Sequence, residues 1–174
     1  NLTFKVIGSG SSLVSVDGAT FGDKSLATVS AKLNAGTIGS GGVVNTPVVN
    51  TPVIPVNTPV IGSGFTVSVD SVAANVGETI TVPVSFANVP SSGISTADMA
   101  ILYDATKLEY VSGTAGSIVT DPGTNFAINK ESNGKLKVLF LDYTMSNGYI
   151  SQNGVFVNLT FKVIGSGSSL VSVD

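Results

Sequence analysis

The sequence predicts an all-β, antiparallel sandwich, and three observations lead there. Val, Thr and Ser fill much of a chain in which 43% of residues are hydrophobic and only 11% charged, and β-branched residues fit a pleated surface. Short runs with period-two alternation follow one another at about 8–12-residue spacing, the signature of a sandwich or barrel. Glycine, with 20 copies, separates these runs with turn signals, and no long stretch has helical spacing.

The elements run as follows. Leu2–Ile7 and Leu13–Val16 read as strands, Gly18–Lys24 as a loop, and a strand is expected near Leu26–Leu33. Phe65–Val69 alternates as FTVSV. Thr79–Phe86 reads TITVPVSF, with Ile80, Val82, Val84 and Phe86 on one face and Pro83 on the other. Proline cannot donate to a ladder, so an edge position is expected for this strand. Ser95–Tyr103, Leu108–Val111, Asn125–Lys130, Lys135–Tyr143 and Val155–Ile164 complete the set. Asn133-Gly134 between two alternating runs is a strong hairpin signal.

The chain repeats itself. Asn1–Asp17 and Asn158–Asp174 are the same 17 residues, offset by 157. Solenoid repeats run about 20–50 residues, so this offset suits one domain plus one linker in a tandem array. The linker is expected over residues 37–64, where Asn-Thr-Pro-Val begins at Asn45, Asn50 and Asn57 and no residue is charged. Regularly spaced prolines favour a polyproline-II-like spacer over a paired strand. Residues 1–36 are then the closing strands of one module and 65–174 the preceding strands of the next. Fold-back of 1–36 onto 65–174 is geometrically feasible, but the two 17-residue copies would compete for one place. Completion of a neighbouring module is therefore favoured.

Composition excludes several functions. The eight basic residues are all Lys and the net charge is −3, so no basic stripe exists for nucleic acid. His and Cys are absent, which removes the commonest general base, thiol nucleophiles and the best zinc ligands. Asp98, Asp104, Glu109, Glu131 and Asp142 could supply a carboxylate pair, yet acidic residues are ordinary at turns and strand ends; no enzyme is expected. Asp121-Pro122-Gly123 lacks the acidic spacing of a calcium loop and reads as a turn. Neither metal nor cofactor is expected. No apolar run reaches the roughly 18 residues of a membrane-spanning helix.

Two strands are apolar where a solvated face would be polar. Opposite its core face, Ser95–Tyr103 shows Thr96, Asp98, Ala100 and Leu102. Lys135–Tyr143 has Leu136, Val138 and Phe140 on one side and Leu139 and Leu141 on the other. Such a strand is either covered on both sides or part of a protein-binding face. The face is expected to gather Thr96, Asp98, Asn129, Val138, Phe140 and Asp142, with Val138 and Phe140 at its apolar centre. A carbohydrate-binding or adhesive surface sandwich is the alternative, disfavoured by the absence of Trp.

The segments VGETITVPVSFANVPSSGISTADMAILYD, KVLFLDYT and ISQNGVFVNLTFKV, with GATFGD near the front, resemble a type I cohesin module of a cellulosomal scaffoldin. The resemblance covers nearly the whole chain outside the linker. It implies a nine-stranded jelly-roll sandwich, split here by the linker. It also implies a non-catalytic, extracellular role: binding the dockerin domains of carbohydrate-active enzymes, beside further cohesin modules of the same scaffoldin, and so assembling a polysaccharide-degrading complex. Dockerin-binding positions carried over are Leu26, Thr96, Asp98, Ala100, Asn129, Glu131, Val138, Phe140 and Asp142. The family's Asn-x-Asp on the first binding strand stands here as Thr96-Ala97-Asp98. A family Tyr aligns with Glu131, and a family Glu aligns near Asp142 or Tyr143. These departures imply a dockerin with its own matching polar pattern.

Overall fold

The computed structural model describes residues 19–39, 64–144 and 147–173. Twelve strands and one short helix lie among them. They are β1 (Thr20–Gly22), β2 (Lys32–Asn34), β3 (Gly36–Gly39), β4 (Thr66–Val69), β5 (Val72–Ala73), β6 (Thr79–Ala87), β7 (Thr96–Tyr103), β8 (Leu108–Ala115), α1 (Pro122–Asn125), β9 (Phe126–Ser132), β10 (Lys135–Leu141), β11 (Gly154–Val163) and β12 (Ser169–Val173). One sheet has the order β5-β3-β12-β7-β10-β9, with β1 also on β7; the other has the order β2-β4-β6-β11-β8. The fold is therefore the expected all-β sandwich. Two pairings are parallel, β2 with β4 and β3 with β5.

Alternation fills the space between the sheets. Val82, Val84 and Phe86 of β6, Leu159 and Phe161 of β11, Met99 and Ile101 of β7, and Leu136 and Val138 of β10 are all buried. A row of rings crosses this core. Phe86 stacks on Phe156 at 4.4 Å, and Phe21, Phe65, Phe126 and Phe140 meet these two edge-on at 5.1–6.2 Å. Edge-to-face pairs of this kind add about 0.5–1.5 kcal/mol each beyond area burial. The hairpin at Asn133-Gly134 forms as expected, with Gly134 at φ 87° and β9 paired to β10.

Three expectations about strands need correction. Thr79–Phe86 is not at an edge: β6 lies between β4 and β11. Pro83 is accommodated because its carbonyl, which accepts from Asp70 N–H at 3.0 Å, points toward β4. The nitrogen of a strand residue points to the same side as its carbonyl, so the missing donor falls where β4 stops, at Val69. Leu26–Leu33 is not one strand. Leu26 has φ 62°, and pairing is taken up by β2 and β3 further on, so β3 runs to Gly39 and takes in the first three residues of the expected linker. The Gly18–Lys24 loop contains β1.

Residues 19–39 complete this chain's own sandwich, contrary to the favoured neighbouring-module arrangement. β1 pairs with β7, β2 with β4, and β3 with β12. Residues 158–173, the second copy of the repeat, form most of β11 and all of β12. Residues 1–18, with the strands expected at Leu2–Ile7 and Leu13–Val16, and most of the expected linker lie outside the described residues.

A candidate docking face on β7, β9 and β10

The outward face of the sheet containing β7 is built on register. Leu139 stands opposite Asp98 on β7 and Ala127 on β9, and Leu141 stands opposite Thr96. Lys137 stands opposite Ala100 on one side and Asn129 on the other. Directly opposed residues share a face of the sheet, so β7, β10 and β9 present one continuous row of side chains. At its centre Leu139 and Leu141 are each 38% exposed, with Tyr143 beyond them at 66%. Beside them Lys137 pairs with Asp98, and Lys135 with Glu131 at 3.0 Å. Exposed pairs of this kind contribute at most about 1 kcal/mol to stability, and they leave charge available to orient a partner.

Val138 and Phe140 face the core and not the outward surface expected for them. Val138 is fully buried and Phe140 is 2% exposed, so both are core residues. The apolar centre of the surface is Leu139 and Leu141. Alternation alone cannot separate two apolar faces of one strand; the pairing of Leu139 with Asp98 does. Asp142 is also buried, at 1% exposure, and has a structural role. Its Oδ1 accepts from Thr144 N–H at 2.9 Å and Thr144 Oγ1 at 2.6 Å, and its Oδ2 from Gly148 N–H at 3.2 Å. That carboxylate ties the loop after β10 to the sandwich. Thr96, Asp98, Asn129 and Glu131 do sit on the outward surface, with Ala100 on the same face but 8% exposed.

Leu26 reaches the same surface from a different element. It is 69% exposed in a left-handed conformation that costs a non-glycine residue about 1 kcal/mol or more. The loop that forces it outward is fastened by Asp23. Oδ1 of Asp23 accepts from Ser25 N–H at 2.9 Å, Ser25 Oγ at 2.7 Å and Ala27 N–H at 3.0 Å, while its carbonyl accepts from Leu26 N–H at 2.9 Å. The Ser25 hydroxyl, followed by the backbone donors, holds the Asp23 carboxyl below the usual carboxylate range. Between this loop and β10 lies a depression of about 160 Å³ lined by Leu26, Ser95, Thr96 and Leu141. A second, of about 240 Å³, is lined by Asp98, Phe126, Ala127, Leu139, Leu141 and Tyr143. Each is of the order of the ~150 Å³ apolar cavity that admits a benzene ring, so each has room for one apolar side chain. Thr96 and Leu141 line both. No group of His, Cys, Asp and Glu among the described residues is arranged to hold a metal ion.

The profile of the cohesin domain matches residues 65–173. The chain belongs to the cohesin family. The match stops short of residues 19–39, which the fold nonetheless seats in the same cohesin sandwich. Cellulose-binding protein A of Clostridium cellulovorans is 39% identical over 68% of this chain, and cellulosomal-scaffolding protein A of Acetivibrio thermocellus is 32% identical over 88%. The chain spans only 6% and 8% of the lengths of those two proteins. Among solved structures, the sixth cohesin of scaffoldin B from Acetivibrio cellulolyticus, in complex with a mutant Cel5 dockerin, is 58% identical with a TM-score of 0.62. That similarity covers 64% of this chain and 82% of the other. The seventh ScaB type I cohesin of Pseudobacteroides cellulosolvens is 28% identical with a TM-score of 0.58, covering 83% and 77%.

Proposed function

We propose that this cohesin is a non-catalytic docking module, and that it binds the dockerin domain of an enzyme through the outward face of β7, β9 and β10 together with Leu26. The observation that carries this reading is a sheet face with partly exposed leucines at its centre and charged residues around them, in a chain that over 64% of its length is 58% identical to a cohesin crystallised with a dockerin. Interfaces concentrate their energy in a few well-packed central anchors inside a polar rim. Leu139, Leu141 and Leu26 are the anchors, and Asp98, Lys137, Asn129 and Glu131 form the rim. The polar rim fixes orientation, and the leucines supply the area withdrawn from water.

In this reading the parent protein is an extracellular scaffold that gathers polysaccharide-degrading enzymes. In sequence order, residues 19–39 supply closing strands, the Pro-rich stretch after Gly39 connects them to β4, and residues 65–173 supply the rest of the same sandwich. The test is a paired assay: a pull-down with dockerin-bearing enzymes beside binding to insoluble cellulose. Saturable capture of the dockerin-bearing enzyme supports the docking role. Retention on cellulose without dockerin capture contradicts it and favours a carbohydrate-binding sandwich.

A further inference from the structure

Residues 19–39 close the sandwich as a detachable piece. Its three strands pair with β7, β4, β12 and β5 and never with one another. Its internal ties are confined to the loop around Asp23 and a single bridge between Gly22 and Thr28. It supplies Phe21, at 3% exposure, and Ile38, at 1%, to a core otherwise built from residues 65–173. Its parallel run is regular: Lys32–Asn34 lie beside Thr66–Ser68, and Ile38–Gly39 beside Val72–Ala73, each residue opposite the one 34 positions later.

The seat of this piece has two covalent approaches. The last described pair of β12 with β7 is Val173 opposite Ile101, and β1 joins β7 at Thr20, opposite Asp98. These points lie three residues apart along β7. In the first copy of the 17-residue repeat, the counterpart of Val173 is Val16, four residues before Thr20. β12 and β1 therefore trace one strand with a single extra residue, the count of a β-bulge. Where the repeat runs on into Gly18, as its first copy does, the closing piece follows β12 directly. In this chain it arrives instead from the other side, ahead of β4. The 24 residues separating Gly39 from Gly64 can extend to roughly 80 Å. The return from the level of Ala73 to Gly64 needs only about 30 Å of strand length.

From this we infer that residues 19–39 are an exchangeable closing segment, and that a second copy of this chain can donate it. In the exchanged dimer each sandwich is closed by its partner's β1, β2 and β3. Every interface of the monomer is reproduced, as in other exchanges of identical elements. Each candidate docking face is then composite, because Leu26 comes from the donating chain while Leu139 and Leu141 belong to the accepting one. Intramolecular closure through a connection of this length acts as an effective concentration on the order of 1 mM. The monomer therefore prevails at micromolar concentration, and exchange becomes substantial when copies are crowded to the millimolar range.

The chain has no cysteine, so cross-links report the exchange cleanly. Thr37 on β3 and Leu170 on β12 are direct partners, at a separation suited to a disulfide. Full chains carrying T37C and full chains carrying L170C are mixed, unfolded, refolded together and oxidised, beside each variant alone and a T37C/L170C double variant. The inference expects the double variant to give a bridged monomer after dilute refolding. It also expects the mixture to give a T37C–L170C heterodimer that rises at least tenfold between about 10 µM and about 1 mM and exceeds both single-variant controls. A mixture that never exceeds those controls overturns it, as does a double variant that fails to bridge. Neither outcome depends on dockerin binding.

Discussion

Replacing Phe140 and Leu139 separately by alanine tests which side of β10 faces the partner. Phe140 is 2% exposed and meets Phe156 edge-on at 6.2 Å. Its truncation opens a core cavity and costs about 3–5 kcal/mol of stability. At about 2–4 °C per kcal/mol for a chain of this size, the melting temperature falls by roughly 6–20 °C. Leu139 is 38% exposed. Burying a whole leucine stabilises by about 1.5–3 kcal/mol, so the part still open to a partner offers about 0.6–1.1 kcal/mol. Leu141, equally exposed, offers the same again, and the double variant Leu139→Ala/Leu141→Ala loses about 1–2 kcal/mol of dockerin affinity, or 5–30-fold in Kd. Calorimetric titration with a dockerin, and thermal unfolding followed by circular dichroism, read the two effects. Phe140→Ala is expected to lower stability while the folded fraction keeps its affinity; the leucine variants are expected to do the reverse. Lost affinity in Phe140→Ala at an unchanged melting temperature, with the leucine double variant binding normally, would refute the assignment of faces.

Other outcomes follow from the same geometry. Leu26→Gly relieves a left-handed backbone and removes an anchor, so the melting temperature is expected to hold or rise while affinity for a dockerin falls by about 1 kcal/mol; a lower melting temperature with unchanged affinity would contradict this. Asp142→Ala removes the carboxylate that accepts from Thr144 N–H, Thr144 Oγ1 and Gly148 N–H, leaving Gly148 N–H its second acceptor at Thr144 Oγ1, and is expected to cost about 1–3 kcal/mol in denaturant unfolding. A cost near zero would show that the loop is held by other contacts. Hydrogen bonding lowers the carboxyl pKa values of Asp23 and Asp104 in the folded state, led by Ser25 and Thr106 respectively. A depressed folded pKa gives stability that is fully present above the unfolded value and is lost as pH falls through the folded one. Thermal unfolding scanned downward from about pH 5 should therefore show stability falling below about pH 4, less steeply in Asp23→Asn; identical slopes would contradict the role given to Asp23.

The sandwich was legible in the sequence because period-two alternation and turn residues act locally. Val82, Val84 and Phe86 share a face by their spacing, and all three lie buried in the structure. Three features depend on distant partners and were not legible. The outward side of β10 is decided by register with β7, since Leu136, Val138 and Phe140 look as apolar as Leu139 and Leu141. The interior place of Pro83 depends on where β4 happens to stop. The seating of residues 19–39 on their own chain depends on pairing across 24 intervening residues. One signal for the docking surface was present in the sequence: Leu139 and Leu141 were visible as a second apolar face, and two apolar faces on one strand imply a partner for one of them. The burial of Asp142 follows from Thr144 and Gly148, whose Asx-type turn converts an apparent surface acid into a loop fastener.

The most direct test of the docking face is an NMR titration of the full chain with a dockerin, followed through leucine and threonine methyl resonances. The docking account predicts that Leu26, Leu139 and Leu141 shift and saturate together. It predicts that Thr81 and Thr160, opposite one another on the β6–β11 pair of the other sheet, stay fixed. Shifts confined to Thr81 and Thr160, with the three leucines unmoved, would contradict it.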